Sequence, residues 1–365
     1  MLAAVPIYTK ISLRDVIRGP VDRPELPQSC SALGARSKVR GPIVVSGVTG
    51  SGVGLVHGLL ASLNVAMGKK CEDQACTLFG GGKKIERGLG LLISRHYHAF
   101  PYEWDAQLSD PRGSEARESR EMTEEILDRL CKQILLQGRA GHWGWTDTLA
   151  IFYAPLIAAV TDRLDREHGL KFILLLRDPR DRLWLPATRG SHFSLFCTWQ
   201  FQKIWQFCGG RHCQKMPAEE TTTLGQSGPC TIQRFSWWAA LHWALLRWAS
   251  LLGQARFLVV RTEDLVEIAT QDSTVRQIVK FVGMDEPSEE QLSSIRIMLN
   301  EQQQALRSPL SDANLTTIGE EIKLSAPAAH GVLCAFGYNS TGRGTAGTLP
   351  PLERWTTVGP YSGTL

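Results

Sequence analysis

A glycine-rich segment, residues 47–54, is the first part of the sequence whose residue types could do chemistry. It reads Gly-Val-Thr-Gly-Ser-Gly-Val-Gly and joins an apolar run at residues 43–45 to an apolar stretch that begins at Leu55. Glycines between a strand and a helix let backbone N–H groups converge at the helix N-terminus, where they bind phosphate. The same glycines also suit a tight turn that only permits close packing. The segment therefore indicates either an anion-binding loop or a purely structural turn.

The loop departs from the pattern of nucleoside triphosphatases, G-x-x-x-x-G-K-[ST]. Gly47 and Gly52 fit the two glycines, but Val53 stands where the lysine is needed and Gly54 where the hydroxyl that binds Mg²⁺ should be. This predicts that the loop does not hydrolyse a nucleoside triphosphate.

Arg177 is the second residue that could do chemistry, and it follows five apolar residues at 172–176. Open α/β sheets bind ligands at the carboxyl ends of their strands, and a guanidinium group suits phosphate. The alternative for Arg177 is a surface ion pair. In the run Arg-Asp-Pro-Arg-Asp that begins at this residue, Asp178 or Asp181 can cap the helix that follows.

The elements that must position these residues can be predicted from apolar patterns. Apolar runs typical of strands covered on both faces occupy residues 43–45, 172–176 and 257–260. Helical spacing predicts helices at residues 55–63, 122–134, 152–164, 237–252 and 275–282. Ser288 and Gln291 form a capping-box pattern for a further helix. Strands alternating with helices predict an α/β fold, a doubly wound parallel sheet flanked by helices.

We predict a single α/β domain at residues 41–340, with surface insertions near 101–120 and 209–231. Residues 1–40 show no clear period and are interpreted as an N-terminal arm. Residues 341–365 are rich in glycine and proline and are interpreted as an irregular tail.

Composition excludes several classes of protein. The 365 residues are 43% hydrophobic and 21% charged, which fits a soluble globular chain and excludes disorder, collagen and coiled coil. The net charge is +4 and the basic residues are scattered along the sequence, so we expect no surface that binds nucleic acid. The most apolar long stretch, residues 235–252, contains His242 and Arg247 and fits a buried helix better than a membrane span.

The nine cysteines include no C-x-x-C pair, and residues 1–10 carry no signal-peptide pattern. We therefore expect reduced thiols and a cytoplasmic location. Cys208 and Cys213 fit a polar insertion better than a zinc site, so no metal is predicted. An incomplete N-terminus leaves a Golgi membrane anchor open, and the oligomeric state is open too.

Beyond these patterns, the sequence resembles the sulfotransferases that use 3′-phosphoadenosine 5′-phosphosulfate (PAPS). The resemblance covers about residues 41–285, with an echo at 336–338, and its segments follow the family's order. They are the loop and helix at 47–60 (G-x-x-[RK]-S-G-T-[ST]), 60–68 (L-x-x-L-G-V-x-M-G), 143–147 (W-G-W-K-D), 177–181 (R-D-P-R-D), 257–265 (v-L-v-x-R-Y-E-D-L) and the helix at 275–284 (F-L-G-[LM]). The resemblance implies a P-loop-type, sulfotransferase-like fold, PAPS as co-substrate, and sulfuryl transfer to a hydroxyl or amine of a glycan, a lipid-like alcohol or a small metabolite.

Site residues carried over from the resemblance fall into three groups. Arg177 would bind the 3′-phosphate, with Thr188 or Ser191 replacing the family's serine, which is Leu185 here. The 5′-phosphosulfate would lie on the loop residues Thr49, Gly50, Ser51, Gly52, Val53 and Gly54. The candidate catalytic bases for the acceptor are His96, His98 and Asp147. The alternative for the two histidines is that they are partly exposed residues on a polar strand edge, without a catalytic role.

The sequence also departs from the family. The loop's basic residue is Gly50, its two hydroxyl residues are Val53 and Gly54, and the lysine of W-G-W-K-D is Thr146. These departures leave a second hypothesis open, a catalytically impaired protein that binds a nucleotide or a partner in the same cleft. A P-loop kinase is the third hypothesis, and Val53 argues against it.

Overall fold

The structure is a computed structural model in which four strands and seven bounded helices are described. It describes residues 41–48, 50–67, 141–146, 150, 169–183, 252–306 and 311–338, and the helical residues 235, 238, 239, 242, 245 and 249. The strands are β1 (Ile43–Ser46), β2 (Gly144–Thr146), β3 (Lys171–Leu176) and β4 (Phe257–Arg261). The helices are α1 (Val53–Ser62), α2 (Arg180–Leu183), α3 (Thr262–Val266), α4 (Ile268–Val282), α5 (Glu289–Leu306), α6 (Asp312–Ser325) and α7 (Pro327–Ala335).

The four strands form one parallel sheet in the order β2-β1-β3-β4. Ile43 of β1 lies opposite Gly144 on one side and Lys171 on the other. After β1 the chain continues to β2 on one side, whereas after β3 it continues to β4 on the other. The carboxyl ends of β1 and β3 therefore flank the point where the winding direction reverses, which is the usual ligand crevice of a doubly wound sheet.

The three predicted strands are confirmed, because continuous apolar runs can be buried on both faces of a parallel sheet. Successive residues of β1 and β3 face opposite sides of the sheet, and both sets are buried. On one face, Val45 and Leu175 pack into a core with α1, α4 and α5. Between neighbouring strands, the ring of Phe172 in β3 stacks on the ring of Phe257 in β4, with centroids 5.4 Å apart.

Helix ends agree with the predictions that were based on short sequence patterns. Ser288 and Gln291 exchange side-chain-to-backbone hydrogen bonds of 2.9 and 3.2 Å, which confirms the capping box before α5. Helix α4 ends at Gly283 in the left-handed conformation, with Met284 N–H donating to Val279 C=O at 3.1 Å. The predicted helix at residues 275–282 is the second half of this longer helix.

Several predictions concern residues outside the described part of the chain. They are the arm at 1–40, the insertions near 101–120 and 209–231, the tail at 341–365 and the helices at 122–134 and 152–164. The division into domains therefore stays a prediction. Within the described ranges, no helix combines the length and apolarity required to cross a bilayer.

Candidate functional site

The loop after β1 is held close to the end of β3. A Cβ atom at Gly47 would lie 2.4 Å from the backbone oxygen of Leu175 and 2.3 Å from the hydroxyl oxygen of Ser51. Only glycine fits there, because real Cβ atoms do not approach other heavy atoms so closely. Gly47 therefore brings the loop and the β3 terminus into direct contact.

Two further glycines shape the loop by their backbone angles. Gly50 and Gly52 both have φ of +85°, in the left-handed region that favours glycine. Gly52 is the N-cap of α1, and this helix begins with no side-chain cap and no acidic residue in its first turn. No acidic side chain in the first turn of α1 therefore neutralises the positive end of the helix dipole.

The residue that follows β4 also contacts the loop. Thr262, the first residue of α3, donates its hydroxyl to the backbone C=O of Ser51. Its methyl carbon would lie 3.0 Å from a Cβ atom at Gly52. The loop is thus held by contacts at the carboxyl ends of three strands, β1, β3 and β4.

Ser51 carries a polar atom with no partner in the described structure. Its side chain is 1% exposed, and its hydroxyl forms no hydrogen bond there. The hydroxyl lies across the loop over Gly47. A buried hydroxyl without a partner costs free energy, so one that lies in an uncapped glycine loop fits a contact made to a bound anion.

Arg177 reaches this loop from the carboxyl end of β3. Its Nη1 donates to the C=O of Gly50 at 3.3 Å, and its Nε lies 3.8 Å from a carboxylate oxygen of Asp181. Both side chains of this ion pair are 3% exposed. The ion pair is therefore buried rather than on the surface, and Arg177 brings a buried positive charge to the glycine loop.

The turn after Arg177 is built on a second buried ion pair. Arg180 donates through Nε and Nη2 to the carboxylate of Asp178, at 3.0 and 2.7 Å. The Asp178 carboxylate also accepts the backbone N–H of Arg180 at 3.0 Å, which confirms that an aspartate caps α2. Arg180 Nη1 donates to the C=O of Leu315, so the turn is fastened to α6.

Glu263 in α3 joins this turn to the segment after α7. Its Oε1 accepts the backbone N–H of Asp178 at 2.8 Å, and its Oε2 accepts the hydroxyl of Tyr338 at 3.0 Å. Burial raises the pKa of Glu263 to about 7, and the nearby Asp178 carboxylate adds to this shift. Arg261 pairs with Asp264 and lies against the Tyr338 ring. These contacts tie the end of β4 to the turn after β3 and to Tyr338.

His57 and Thr146 meet on the β2 side of the loop. His57 is buried in α1, and its Nδ1 lies 3.2 Å from the Thr146 hydroxyl at the end of β2. The contact joins α1 to the position where the resembling motif has lysine.

The structure brings together six of the predicted site residues: Arg177 and the loop residues Gly50, Ser51, Gly52, Val53 and Gly54. Among the described residues, and apart from the chain neighbours and backbone of α1 itself, no atom lies within 4 Å of a Cβ built at Gly54. The other candidates lie outside the described residues: Thr49, His96, His98, Asp147, Thr188 and Ser191. Among the described residues, no group of three or more His, Cys, Asp or Glu side chains could hold a metal ion.

Sequence patterns missed the connection from Glu263 to Tyr338 and Asp178. The signals for it were the short polar run after β4 and the isolated Tyr338, but neither has a periodicity that predicts a partner. Only the parallel pairing of β3 with β4 brings the two strand ends together.

The sequence matches no protein-family model and no curated protein. Solved structures that align with the chain include the sulfotransferase domain of the olefin synthase from Synechococcus, at 13% identity over 82% of this chain and 97% of that domain, with a TM-score of 0.36. A sulfotransferase from Mycobacterium tuberculosis is 14% identical over 79% of this chain and 76% of that chain, with a TM-score of 0.34. A sulfotransferase from Mycobacterium avium is 15% identical over 85% and 81%, with a TM-score of 0.36. At these values no residue role is transferred from them to this chain.

Proposed function

We propose that the crevice at the ends of β1 and β3 binds PAPS and that the protein transfers its sulfuryl group to a hydroxyl or amine acceptor. The observation that carries the proposal is the contact between Arg177 and the C=O of Gly50. It unites the two segments that resemble the PAPS-binding motifs at the reversal point of the sheet. A nucleotide with phosphate groups at both its 3′ and 5′ positions matches two adjacent anion sites.

Each anionic end of the donor has a proposed partner. The 5′-phosphosulfate would accept hydrogen bonds from backbone N–H groups of the loop and from the unpartnered Ser51 hydroxyl. The 3′-phosphate would pair with the Arg177 guanidinium. The two side chains in these contacts, Ser51 and Arg177, are already buried, which favours binding because little side-chain freedom is lost.

Sulfuryl transfer forms a bond between the acceptor oxygen or nitrogen and sulfur, and it breaks the bond from sulfur to the bridging phosphate oxygen. The acceptor's proton passes to a base, for which His96, His98 and Asp147 are the proposed candidates. Negative charge develops on the departing phosphate, where hydrogen-bond donors of the loop stabilise it. The product nucleotide is 3′-phosphoadenosine 5′-phosphate (PAP).

A second function is favoured by the geometry of Gly50. Its φ of +85° disfavours any residue with a Cβ atom. The resembling loop has a basic residue at this position, whereas the backbone here suits glycine. Thr146 likewise replaces a lysine, and its hydroxyl is directed to His57. A protein that binds the nucleotide without turnover is therefore the alternative.

Calorimetric titration with PAP and with ADP tests donor binding. We expect micromolar binding of PAP, weaker binding of ADP, and a loss of about a hundredfold in PAP affinity for Arg177→Ala, because a charged bidentate contact is removed. Arg276→Ala is the matched control, since Arg276 pairs with Glu286 on the protein surface. Equal affinity for PAP and ADP, or unchanged affinity in Arg177→Ala, would reject the proposal.

Product analysis then separates the enzyme from the binding protein. Purified protein with PAPS and pooled hydroxyl and amine acceptors should yield a sulfated product and PAP. Binding of PAP without any product would favour the alternative, and phosphate transfer from ATP would instead identify a kinase.

A further inference from the structure

We propose that Glu263 is a positioning residue for the donor's 3′-phosphate, acting through Asp178 on the guanidinium of Arg177. This inference rests on the proposed function, because it assigns Arg177 to the 3′-phosphate. It adds to the site a residue from the helix that follows β4, and it predicts an effect confined to one phosphate of the ligand.

The position of Glu263 follows from the sheet. Leu176, the last residue of β3, lies opposite Arg261, the last residue of β4. Glu263 is two residues beyond Arg261 and so faces the turn that begins at Arg177. Its Oε1 accepts the N–H of Asp178 at 2.8 Å.

That N–H belongs to the peptide that joins Arg177 to Asp178. A hydrogen bond to this peptide restrains its orientation, and the orientation in turn fixes the direction in which the Arg177 side chain leaves the backbone. The Asp178 carboxylate is already held by Arg180 in the same turn. Glu263 therefore acts on the backbone of Asp178, and Arg180 of α2 holds the Asp178 side chain.

The second oxygen of Glu263 is also fixed. Tyr338 is 1% exposed, and its hydroxyl donates to Oε2 at 3.0 Å. Because both oxygens have partners, the carboxyl group cannot rotate without losing hydrogen bonds. A group held in this way can position another residue, whereas a mobile surface carboxylate cannot.

In the part of the chain that the structure describes, the charged and titratable groups that act on Glu263 are Asp178 from the turn after β3, Tyr338 from the segment after α7, and Arg261 on β4. With a pKa of about 7, Glu263 is present in both protonation states at neutral pH. A phosphate dianion bound at Arg177 would favour the protonated state by repulsion. Either state can accept the Asp178 N–H, so positioning continues while binding takes up a proton.

The experiment compares PAP and ADP binding by calorimetry at pH 8 in the full-length protein, Glu263→Gln and Glu263→Ala. Glutamine keeps the oxygen that accepts the Asp178 N–H and removes the charge, so PAP affinity should equal or exceed that of the unmodified protein. Alanine removes the acceptor, and PAP affinity should fall about tenfold. ADP affinity should stay within about twofold in both variants, because ADP has no 3′-phosphate.

Proton uptake is the second readout and does not depend on the size of the affinity change. Titration of PAP at pH 7.5 in two buffers of different ionisation enthalpy reports the number of protons taken up. The unmodified protein should take up more protons than Glu263→Gln, which retains only the contribution of the ligand's own phosphate. Tyr338→Phe should raise the pKa of Glu263 and shift this extra uptake to higher pH.

The outcomes separate the two proposals. If the unmodified protein shows no preference for PAP over ADP, the proposed function fails, and this inference fails with it. If PAP is preferred but both Glu263 variants bind it more tightly, the carboxylate acts only as a nearby charge and the positioning role is wrong. Equal losses of PAP and ADP affinity in Glu263→Ala would show a general structural role and overturn the inference alone.

Discussion

Arg180 and Asp178 form a fully buried ion pair, with Nη2 of the guanidinium 2.7 Å from the carboxylate. Both side chains are 0% exposed. The remaining nitrogen of Arg180 reaches the C=O of Leu315 in α6, so the same arginine joins the turn after β3 to the C-terminal helices. A buried pair of this kind is sensitive to the loss of one member, because the other then remains as an uncompensated charge.

Arg180→Met should therefore lower the free energy of unfolding by about 3–5 kcal/mol. Urea denaturation at pH 7 measures this. Arg276→Met, which removes a surface arginine whose side chain is 38% exposed, should change stability by less than about 1 kcal/mol. A loss below about 1 kcal/mol for Arg180→Met would contradict the view that this pair secures the turn.

Ser51→Ala should separate stability from binding. The Ser51 hydroxyl is buried and has no partner in the described structure, so its removal should leave the unfolding free energy unchanged or raise it by up to about 1 kcal/mol. PAP affinity should fall about tenfold if this hydroxyl contacts the donor. Thermal unfolding and calorimetry on the same preparations measure both. Unchanged affinity would remove Ser51 from the proposed donor site.

Gly47→Ala and Gly54→Ala should have opposite effects on stability. At Gly47 a Cβ atom would lie 2.4 Å from the Leu175 backbone oxygen, so alanine should destabilise the protein by roughly 2–4 kcal/mol. At Gly54, within α1, a Cβ atom would meet nothing within 4 Å. Alanine there should stabilise the helix by about 0.5–1 kcal/mol. Urea denaturation of both variants is the measurement, and a tolerated alanine at Gly47 would refute the close approach of loop and strand.

His242→Leu should make the protein less sensitive to acid. Burial lowers the pKa of His242 to about 4, below its value of about 6.5 in the unfolded chain. The unfolded chain therefore binds more protons between these values, so stability is fully present above about pH 6.5 and falls as the pH decreases towards 4. For this residue the loss between pH 7 and pH 5 is about 2 kcal/mol.

The leucine variant should lack that part of the acid sensitivity, as measured by urea denaturation at both pH values. His330→Gln is the control, because His330 is half-buried and should contribute less. If His242→Leu and the unmodified protein lose stability in parallel, His242 is not neutral in the folded core.

Much of the sheet could be predicted from sequence because its signal is local. Five consecutive apolar residues before Arg177 cannot all be buried on one face of a strand, so they required a sheet covered on both faces. The position of Arg177 at the carboxyl end of β3 followed from the same pattern, whereas the reversal point depends on the strand order. Strand β2 was missed, since Gly144, Trp145 and Thr146 form no apolar run, and their pairing with β1 depends on distant residues.

The contacts within the site were less predictable, for a related reason. Helices α6 and α7 have weak apolar periodicity, so neither was predicted, and the contacts of Arg180 with Leu315 and of Glu263 with Tyr338 depend on them. The orientation of the Ser51 hydroxyl depends on the absence of a side chain at Gly47. Such contacts join residues that are far apart along the chain, and no local pattern encodes them.

The parallel pairing of β1 also has a consequence for how the protein folds. During synthesis, Ile43 leaves the ribosome long before Gly144 and Lys171, the residues that lie opposite it in the sheet. Until both partners have been made, β1, which is an interior strand of the described sheet, has two unpaired edges. Long-range parallel pairing of this kind folds slowly and leaves apolar edges open to aggregation. The strand that leads into the glycine loop is therefore the segment of the described sheet that most needs protection while the chain is incomplete.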